Sequence, residues 1–326
     1  RTEFAGRNAR VFLDANENPY NDPYNRYPDP LQVELKKQIS KIKGVAEEKI
    51  FLGNGSDEAI DLVYRVFCRP GKDNVVAIAP TYGMYEVCAD INDVEYRSVL
   101  LDENYQISAG KLLAACDEQT KVIWICSPNN PTGNALTIEQ IEDIAQHTSC
   151  ALLIDEAYVE FYGQSAACLL KKYPKLLVAR TFSKAYGLAA IRCGYLLGDK
   201  AVIDMVKKTF MPYHMDVLTL VTADTVFQMR DEYVPRIQQM IAERKRMEEL
   251  YASLEGFTVY PSNTNFIFVK YDKAVELNER LVSLSMGIRS FGKAPRLENC
   301  LRISMGTRME NDEIFKAVKE FVEVMA

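Results

Sequence analysis

Between residues 75 and 198 the chain alternates short apolar runs with helix-patterned segments, and this rhythm constrains the fold more than any other feature. The runs are "VVAIAP", "KVIWIC", "ALLIDEAY", "KLLVARTF" and "CGYLLGD", with "TIEQIEDIAQ" among the intervening segments. Runs that are apolar throughout suit strands buried on both faces, and helical crossovers between them predict an α/β domain with mostly parallel strands. Just before them, "GSDEAIDLVYRVF" has apolar residues at 60, 63, 64 and 67, the spacing of an amphipathic helix. From residue 232 a long charged stretch, "EYVPRIQQMIAERKRMEELYASLE", predicts a helix that carries the chain out of this domain. Beyond it "FTVY", "NFIFVKY", "GIRSF" and "CLRISMG" read as strands of a smaller α/β lobe, closed by a helix over "NDEIFKAVKEFVEVM" with Asn311 or Asp312 as its cap.

Open α/β sheets bind ligands at the carboxyl ends of their strands. Lys184, in "RTFSKAYGLAAIRCGY", lies just past the strand predicted at "KLLVA". A lysine in a polar loop is by default a solvated charge, but one held here and partly desolvated can lose its proton and condense with an aldehyde. Thr181 and Ser183 offer hydroxyls and Arg192 a planar cation, a set that suits a phosphate. An aldehyde that carries a phosphate describes pyridoxal phosphate.

Two more strand ends supply candidates, Asn130 in "SPNNPTG" and Asp155 in "LLIDEAY". If the three strands are neighbours, their ends converge on one crevice. Pyridoxal chemistry needs a carboxylate against the ring nitrogen, which Asp155 would provide; ending an apolar strand, it should be buried and must then find a partner or become protonated. Asn130 and Tyr158 can hydrogen-bond the phenolic oxygen of the ring, although a turn asparagine and a half-exposed tyrosine are the plainer readings. In "FLGNGSDEAI", Gly53 and Gly55 precede Ser56 at a helix start whose free N–H groups can bind an anion. The phosphate contact is assigned to the backbone around Gly55, Ser56 and Asp57 and to the Ser56 hydroxyl, with the carboxylates of Asp57 and Glu58 turned away; a simple helix cap is the alternative. Tyr82, in "APTYGMY", can stack on the ring or serve as packing.

Composition narrows the rest. A net charge of -6 with no basic cluster argues against nucleic acid as the main partner. The apolar runs are too short to cross a bilayer and no signal-peptide pattern begins the chain, so a soluble, cytoplasmic protein is expected. The eight cysteines form no CxxC pair and read as reduced core thiols, and neither His147 nor His214 has the spacing of a metal ligand or a catalytic triad. A nicotinamide site has little support, because "GNGSDE" lacks the third glycine of that fingerprint.

In order and spacing, "SPNNPTG", "DEAY", "TFSKAYGLAAIRCGY" and "CLRISMGT" resemble the signature segments of the fold-type I pyridoxal-phosphate aminotransferases. More narrowly, "LDANENPY", "NRYPDP", "GNGSDE" and the pair "GIRSF" with "CLRIS" are similar to those of the histidinol-phosphate aminotransferases, and the matches span nearly the whole chain. Ala190 departs from the glycine that many relatives carry there, without altering the spacing of Lys184 and Arg192. The resemblance implies a large domain over residues 36–230 with a mostly parallel seven-stranded sheet flanked by helices, and a small α/β domain over 231–326. Residues 1–35 would join the small domain and a dimer contact.

It also implies pyridoxal 5'-phosphate bound to Lys184 as a Schiff base, Lys184 as the general base and acid, and ping-pong transamination between L-histidinol phosphate and 2-oxoglutarate, with glutamate as a product. Arg302 corresponds to the arginine for the substrate anion, and Arg289 to a second one for the substrate phosphate, though a surface ion pair is an equal reading for Arg289. Tyr27 would reach across a homodimer into the neighbouring site, and Asn16 and Asn18 would line the imidazole end. Aminotransferases for aromatic amino acids and phosphothreonine decarboxylases share most of these segments; Arg289 and Tyr27 favour a phosphate-bearing substrate.

Overall fold

The computed structural model describes residues 15–20 and 24–325. Of the N-terminal segment, residues 1–14 and 21–23 lie outside that description. Seven strands form the main sheet: β1 (Ile50–Asn54), β2 (Asn74–Ala79), β3 (Glu95–Leu100), β4 (Thr120–Cys126), β5 (Ala151–Asp155), β6 (Leu176–Thr181) and β7 (Cys193–Leu197), in the order β1-β7-β6-β5-β4-β2-β3. Strands β3, β2, β4, β5 and β6 pair in parallel, whereas β7 runs antiparallel to both β6 and β1. The mostly parallel sheet is therefore as expected, with "CGYLLGD" as the reversed strand.

Side chains alternate between the two faces of the sheet and meet two layers of helices. On one face α2 (Gly55–Phe67), α3 (Met84–Ile91) and α7 (Lys200–Val206) bury Ile60, Val63, Tyr85 and Ile203 against Val75, Trp124, Leu153 and Leu177. On the other, α1 (Val33–Lys43), α4 (Ala109–Leu113), α5 (Ile138–His147), α6 (Val159–Tyr162) and α8 (Val217–Gln228) cover Ile123, Ile125, Leu152, Ile154 and Val178. The helix expected at residues 55–67 is α2. Six cysteines are buried as expected; Cys168 is exposed and Cys116 half-buried. His214 packs between Phe51 and Phe210, consistent with a structural role.

A second sheet, antiparallel and in the order β10-β11-β9-β8, is built from β8 (Thr258–Tyr260), β9 (Phe266–Lys270), β10 (Arg289–Ser290) and β11 (Cys300–Ser304). The helix α9 (Arg230–Ala252) leads into it, and α10 (Ala274–Ser283) and α11 (Arg308–Met325) complete its core around Leu277, Leu301 and Val318. The strand read at "GIRSF" is only two residues long. The last helix begins at Arg308, ahead of the expected cap. There Thr307 and Glu310 cap it reciprocally: the Thr307 N–H donates to Glu310 Oε2 at 2.7 Å and the Glu310 N–H to Thr307 Oγ1 at 3.4 Å. Asn311 instead accepts the Gly306 N–H at 2.9 Å.

Candidate active site

Strands β4, β5 and β6 are neighbours, and their register places Cys126 beside Asp155 and Asp155 beside Ala179. The three loops singled out in the sequence consequently leave one edge of the sheet side by side. Asn129, wholly buried, ties the β4 loop to the β2 loop: its Nδ2 donates to the Pro80 carbonyl at 2.9 Å and its Oδ1 accepts from Thr81 Oγ1 at 2.8 Å. That bond brings Asn130 and Tyr82 to the same crevice.

The crevice is a cavity of about 120 Å³ lined by Ser56, Asp57, Tyr82, Asn130, Asp155, Tyr158, Thr181, Ser183, Lys184 and Arg192, together with Cys126, Ala157 and Ala189. Of the residues expected to hold a cofactor, only Gly55 is not part of the lining. It lies directly behind: with φ at +77°, a Cβ there would sit 2.7 Å from Arg192 Nη2.

Lys184 is positioned by Phe182, a fully buried side chain whose N–H continues the sheet to the Cys193 carbonyl at 3.0 Å. The Lys184 amine stands 5.9 Å from the centre of the Tyr158 ring. The residue keeps solvent access along its length, yet its surroundings are crowded enough that desolvation lowers the pKa of the amine, assisted by the positive charges of Arg302 and Arg192 and opposed by Asp57 and Asp155.

Asp155 is 2% exposed. Its Oδ2 accepts the Tyr85 hydroxyl at 2.7 Å and its Oδ1 the Ala157 N–H at 3.1 Å. Burial pushes the carboxyl up to about 6 against the pull of these two hydrogen bonds, and the neighbouring Asp57 and Glu156 charges add to the rise. A carboxylate so placed, held only by neutral donors, is suited to a cation delivered by a ligand.

At the other end of the cavity the sequence reading needs a correction. Glu58 does turn away, accepting the Asn54 N–H at 2.6 Å. Asp57 turns inward: its Oδ1 accepts the Tyr82 hydroxyl at 2.9 Å and its Oδ2 pairs with Arg192 Nη2 at 2.9 Å. The guanidinium and the phenol across the crevice attract the carboxylate more than solvent does, and the positive end of α2 favours it there too. Tyr82 is thereby fixed as a wall of the cavity.

Asn130 Oδ1 accepts a hydrogen bond from Arg302 Nη1, which leaves the asparagine N–H₂ as its donor for the cavity. Arg302 lies on β11 directly opposite Arg289 on β10, so both arginines share one face of the small sheet. The Arg302 Nε is buried without a hydrogen-bond partner among the described residues, a donor whose desolvation an anion would offset. Arg289 is exposed, with its guanidinium 5.8 Å from the Phe291 ring. Tyr27 stacks on Tyr213 at 4.6 Å. Asn18 shapes a local turn, its Oδ1 accepting the Tyr20 N–H at 2.9 Å and its carbonyl the Asn25 side chain at 2.9 Å. Asn16, which has φ at +54°, does not line the cavity, and neither do Asn18 and Tyr27.

A pyridoxal phosphate fits this donor set: an amine of lowered pKa for the aldehyde, a buried carboxylate for the ring nitrogen, and amide and phenol donors for the ring oxygen. Hydroxyls, a helix amino terminus and Arg192 would serve the phosphate. The backbone of the phosphate end rests on β7, where a Cβ on Gly194 would meet Ser56 N at 2.4 Å. Gly194→Ala is expected to cost about 1–3 kcal/mol of stability and, by displacing Ser56, to weaken cofactor binding; chemical denaturation and a cofactor titration read the two effects separately.

Residues 8–318 match the family model for aminotransferase class I and II. The histidinol-phosphate aminotransferase of Bacteroides thetaiotaomicron is 51% identical, over 98% of this chain and 93% of that one. Among solved structures, the histidinol-phosphate aminotransferase of Sinorhizobium meliloti in complex with pyridoxal-5'-phosphate superposes with a TM-score of 0.85 at 27% identity, covering 92% of this chain and 84% of that one. That of Clostridium acetobutylicum gives 0.85 at 23% identity over 92% of both chains, a likeness of fold. The chain belongs to the class I and II aminotransferases and, within them, to the histidinol-phosphate aminotransferase family.

Proposed function

We propose that the chain transfers the amino group of L-histidinol phosphate to 2-oxoglutarate, giving imidazole acetol phosphate and glutamate, with pyridoxal 5'-phosphate held covalently by Lys184. The observation that carries the reading is the meeting in one cavity of the Lys184 amine, its pKa lowered, and the buried Asp155. When bound, the cofactor supplies the sink for the electrons released at the substrate's alpha carbon.

The protein's own groups do the rest. Lys184, its pKa lowered, would move the proton on and off the alpha carbon. Asp155 would hold a proton on the ring nitrogen. Asn130 and Tyr158 would donate to the ring oxygen, and Tyr82 would offer a face for the ring. Ser56, Thr181, Ser183 and Arg192 hold the phosphate, together with the backbone at Gly55 and Asp57. Arg302 pairs with the substrate anion. Arg289, on the same face, takes the phosphate of histidinol phosphate.

The same proposal includes a homodimer, with Tyr27 of the partner subunit reaching this cavity and Asn16 and Asn18 near the imidazole. An apolar surface beside the site supports it: Met211, Leu218 and Val221 are 74%, 61% and 60% exposed, and α8, which carries the last two, is tied to the Arg192 loop by Thr219 Oγ1 donating to the Ile191 carbonyl at 2.8 Å. None of the described helices is long and apolar enough to cross a membrane, in keeping with the cytoplasmic location we propose.

The test is the visible absorption of the protein supplied with pyridoxal phosphate, followed before and after addition of histidinol phosphate without keto acid. Loss of the yellow lysine-linked band on that addition supports the reading. A band that responds only to aromatic amino acids, or none at all, overturns it. Arg289→Ala is expected to raise the KM for histidinol phosphate on the order of 10- to 100-fold, the weight of a charge-assisted hydrogen bond, and that for glutamate far less; equal losses in steady-state assays would remove its assigned role.

A further inference from the structure

Asp155 is held from outside the cavity by a residue that the proposed chemistry does not use. Tyr85, on α3, is wholly buried, and its hydroxyl donates to Asp155 Oδ2 at 2.7 Å. Its ring lies nearly flat against Trp124, with centroids 5.2 Å apart at 18°. On the same indole, Tyr64 stacks at 5.0 Å and 20°, and its hydroxyl donates to the Tyr85 carbonyl at 2.7 Å. Both the ring and the backbone of Tyr85 are thus clamped, and the clamp aims one O–H at one carboxylate oxygen. Its ring and that of the cavity wall residue Tyr82 also meet at right angles, with centroids 5.7 Å apart at 87°.

Resting on the function proposed above, we infer that Tyr85 is a positioning residue: its hydroxyl orients Asp155 and keeps it ionised, so that the carboxylate can hold a proton on the cofactor's ring nitrogen. The need for such a donor follows from what surrounds the carboxylate. Asp57, Glu156, Cys126, Tyr82 and Tyr158 all face or adjoin it, and none brings a positive charge; Lys184 does so only while protonated. Two hydrogen bonds, from Tyr85 and from the Ala157 N–H, oppose the burial that favours the neutral acid. Without the hydroxyl, a single backbone donor remains.

Two substitutions separate this role from packing. Tyr85→Phe keeps the stacked ring and removes the hydroxyl. Tyr64→Phe keeps its ring and removes the bond to the Tyr85 carbonyl, without touching Asp155. For Tyr85→Phe the dissociation constant of pyridoxal phosphate from the apoprotein is expected to rise on the order of 10-fold, and the acid limb of the kcat–pH profile to move up by about one unit. KM for both substrates should stay within about threefold, because no substrate group is touched. Tyr64→Phe should leave the acid limb in place.

A fluorinated tyrosine at position 85, which preserves the ring and is a stronger donor, should move the limb in the opposite direction; this reading remains available if the phenylalanine variant fails to fold. The inference is overturned if Tyr85→Phe binds cofactor and titrates as the unaltered protein does, if Tyr64→Phe shifts the limb equally, or if fluorination leaves it unmoved. The same titration of the unaltered protein distinguishes the two levels. If its lysine-linked band forms, a failure concerns Tyr85 alone; if it does not, the proposed function and the inference fall together.

Discussion

Replacing Lys184 with alanine is expected to reduce transamination by a factor on the order of 10⁴ or more, since one side chain supplies both the covalent attachment and the proton transfer. Folding should be nearly unaffected, because the residue is exposed and Phe182, not Lys184, anchors the loop. The phosphate end also survives intact, because Arg192, Ser56 and Ser183 line the cavity with side chains of their own. The variant should therefore retain measurable affinity for pyridoxal phosphate but show no lysine-linked absorption. Equilibrium binding by fluorescence and single-turnover assays of each half-reaction check this. Turnover at the unaltered rate would remove the central assignment.

Asp155→Asn is expected to act in opposite directions on activity and stability. Catalysis should fall on the order of 10³-fold, because an amide cannot hold the ring nitrogen protonated. The apoprotein, by contrast, should become more stable at pH 8. Burial raises the Asp155 carboxyl from its ordinary 3.8 to about 6. Between those values the folded apoprotein keeps a proton that the unfolded chain has lost, so stability falls as pH rises through this window. Above about 6 the full penalty is present, on the order of 2–3 kcal/mol. Asparagine carries no such charge. The two apoproteins should therefore melt alike near pH 4, and the variant higher at pH 8. Thermal denaturation across this range, repeated with saturating cofactor, checks both arms: cofactor should stabilise the unaltered protein more than the variant. A variant apoprotein that melts lower than the unaltered one at pH 8 would contradict the account of Asp155.

Both substitutions fall on residues that could be read from strand ends. The three loops bearing Asn130, Asp155 and Lys184 were legible because β4, β5 and β6 are continuous apolar runs, and the crossovers between them make neighbours of successive strands. Two other strands were not legible. In β1 only Ile50, Phe51 and Leu52 are apolar before the chain enters the polar start of α2, and β3 lies at the sheet edge with most of its side chains partly exposed, so neither forms a long apolar run. The direction of β7 could not be read either, since a run buried on both faces looks the same in either sense. Asp57 was turned the wrong way because its partner Arg192 stands 135 residues later, and helix-capping rules see only the first turn. Tyr85 sits three residues after Tyr82, in the first turn of the helix that follows it, a spacing that was available; what distinguishes it from a core tyrosine is an oxygen 70 residues away.

The two sheets divide the work in a way that bears on how such a chain can change. Every side chain assigned to the cofactor comes from the seven-stranded sheet, its loops or its helices, whereas Arg289 and Arg302 come from adjacent strands of the small one. On the proposed roles, reaction chemistry and anion recognition are thus carried by separate sheets, which share a core through Phe266, Phe268 and Leu297 and the hydrogen bond from Arg302 to Asn130. Drift in β10 and the turn that follows it can explore new acids and phosphates without disturbing the lysine, and selection can act on the range of substrates while the reaction stays the same. A library confined to positions 288–299 would sample specificity directly, on a scaffold whose chemical machinery it leaves alone.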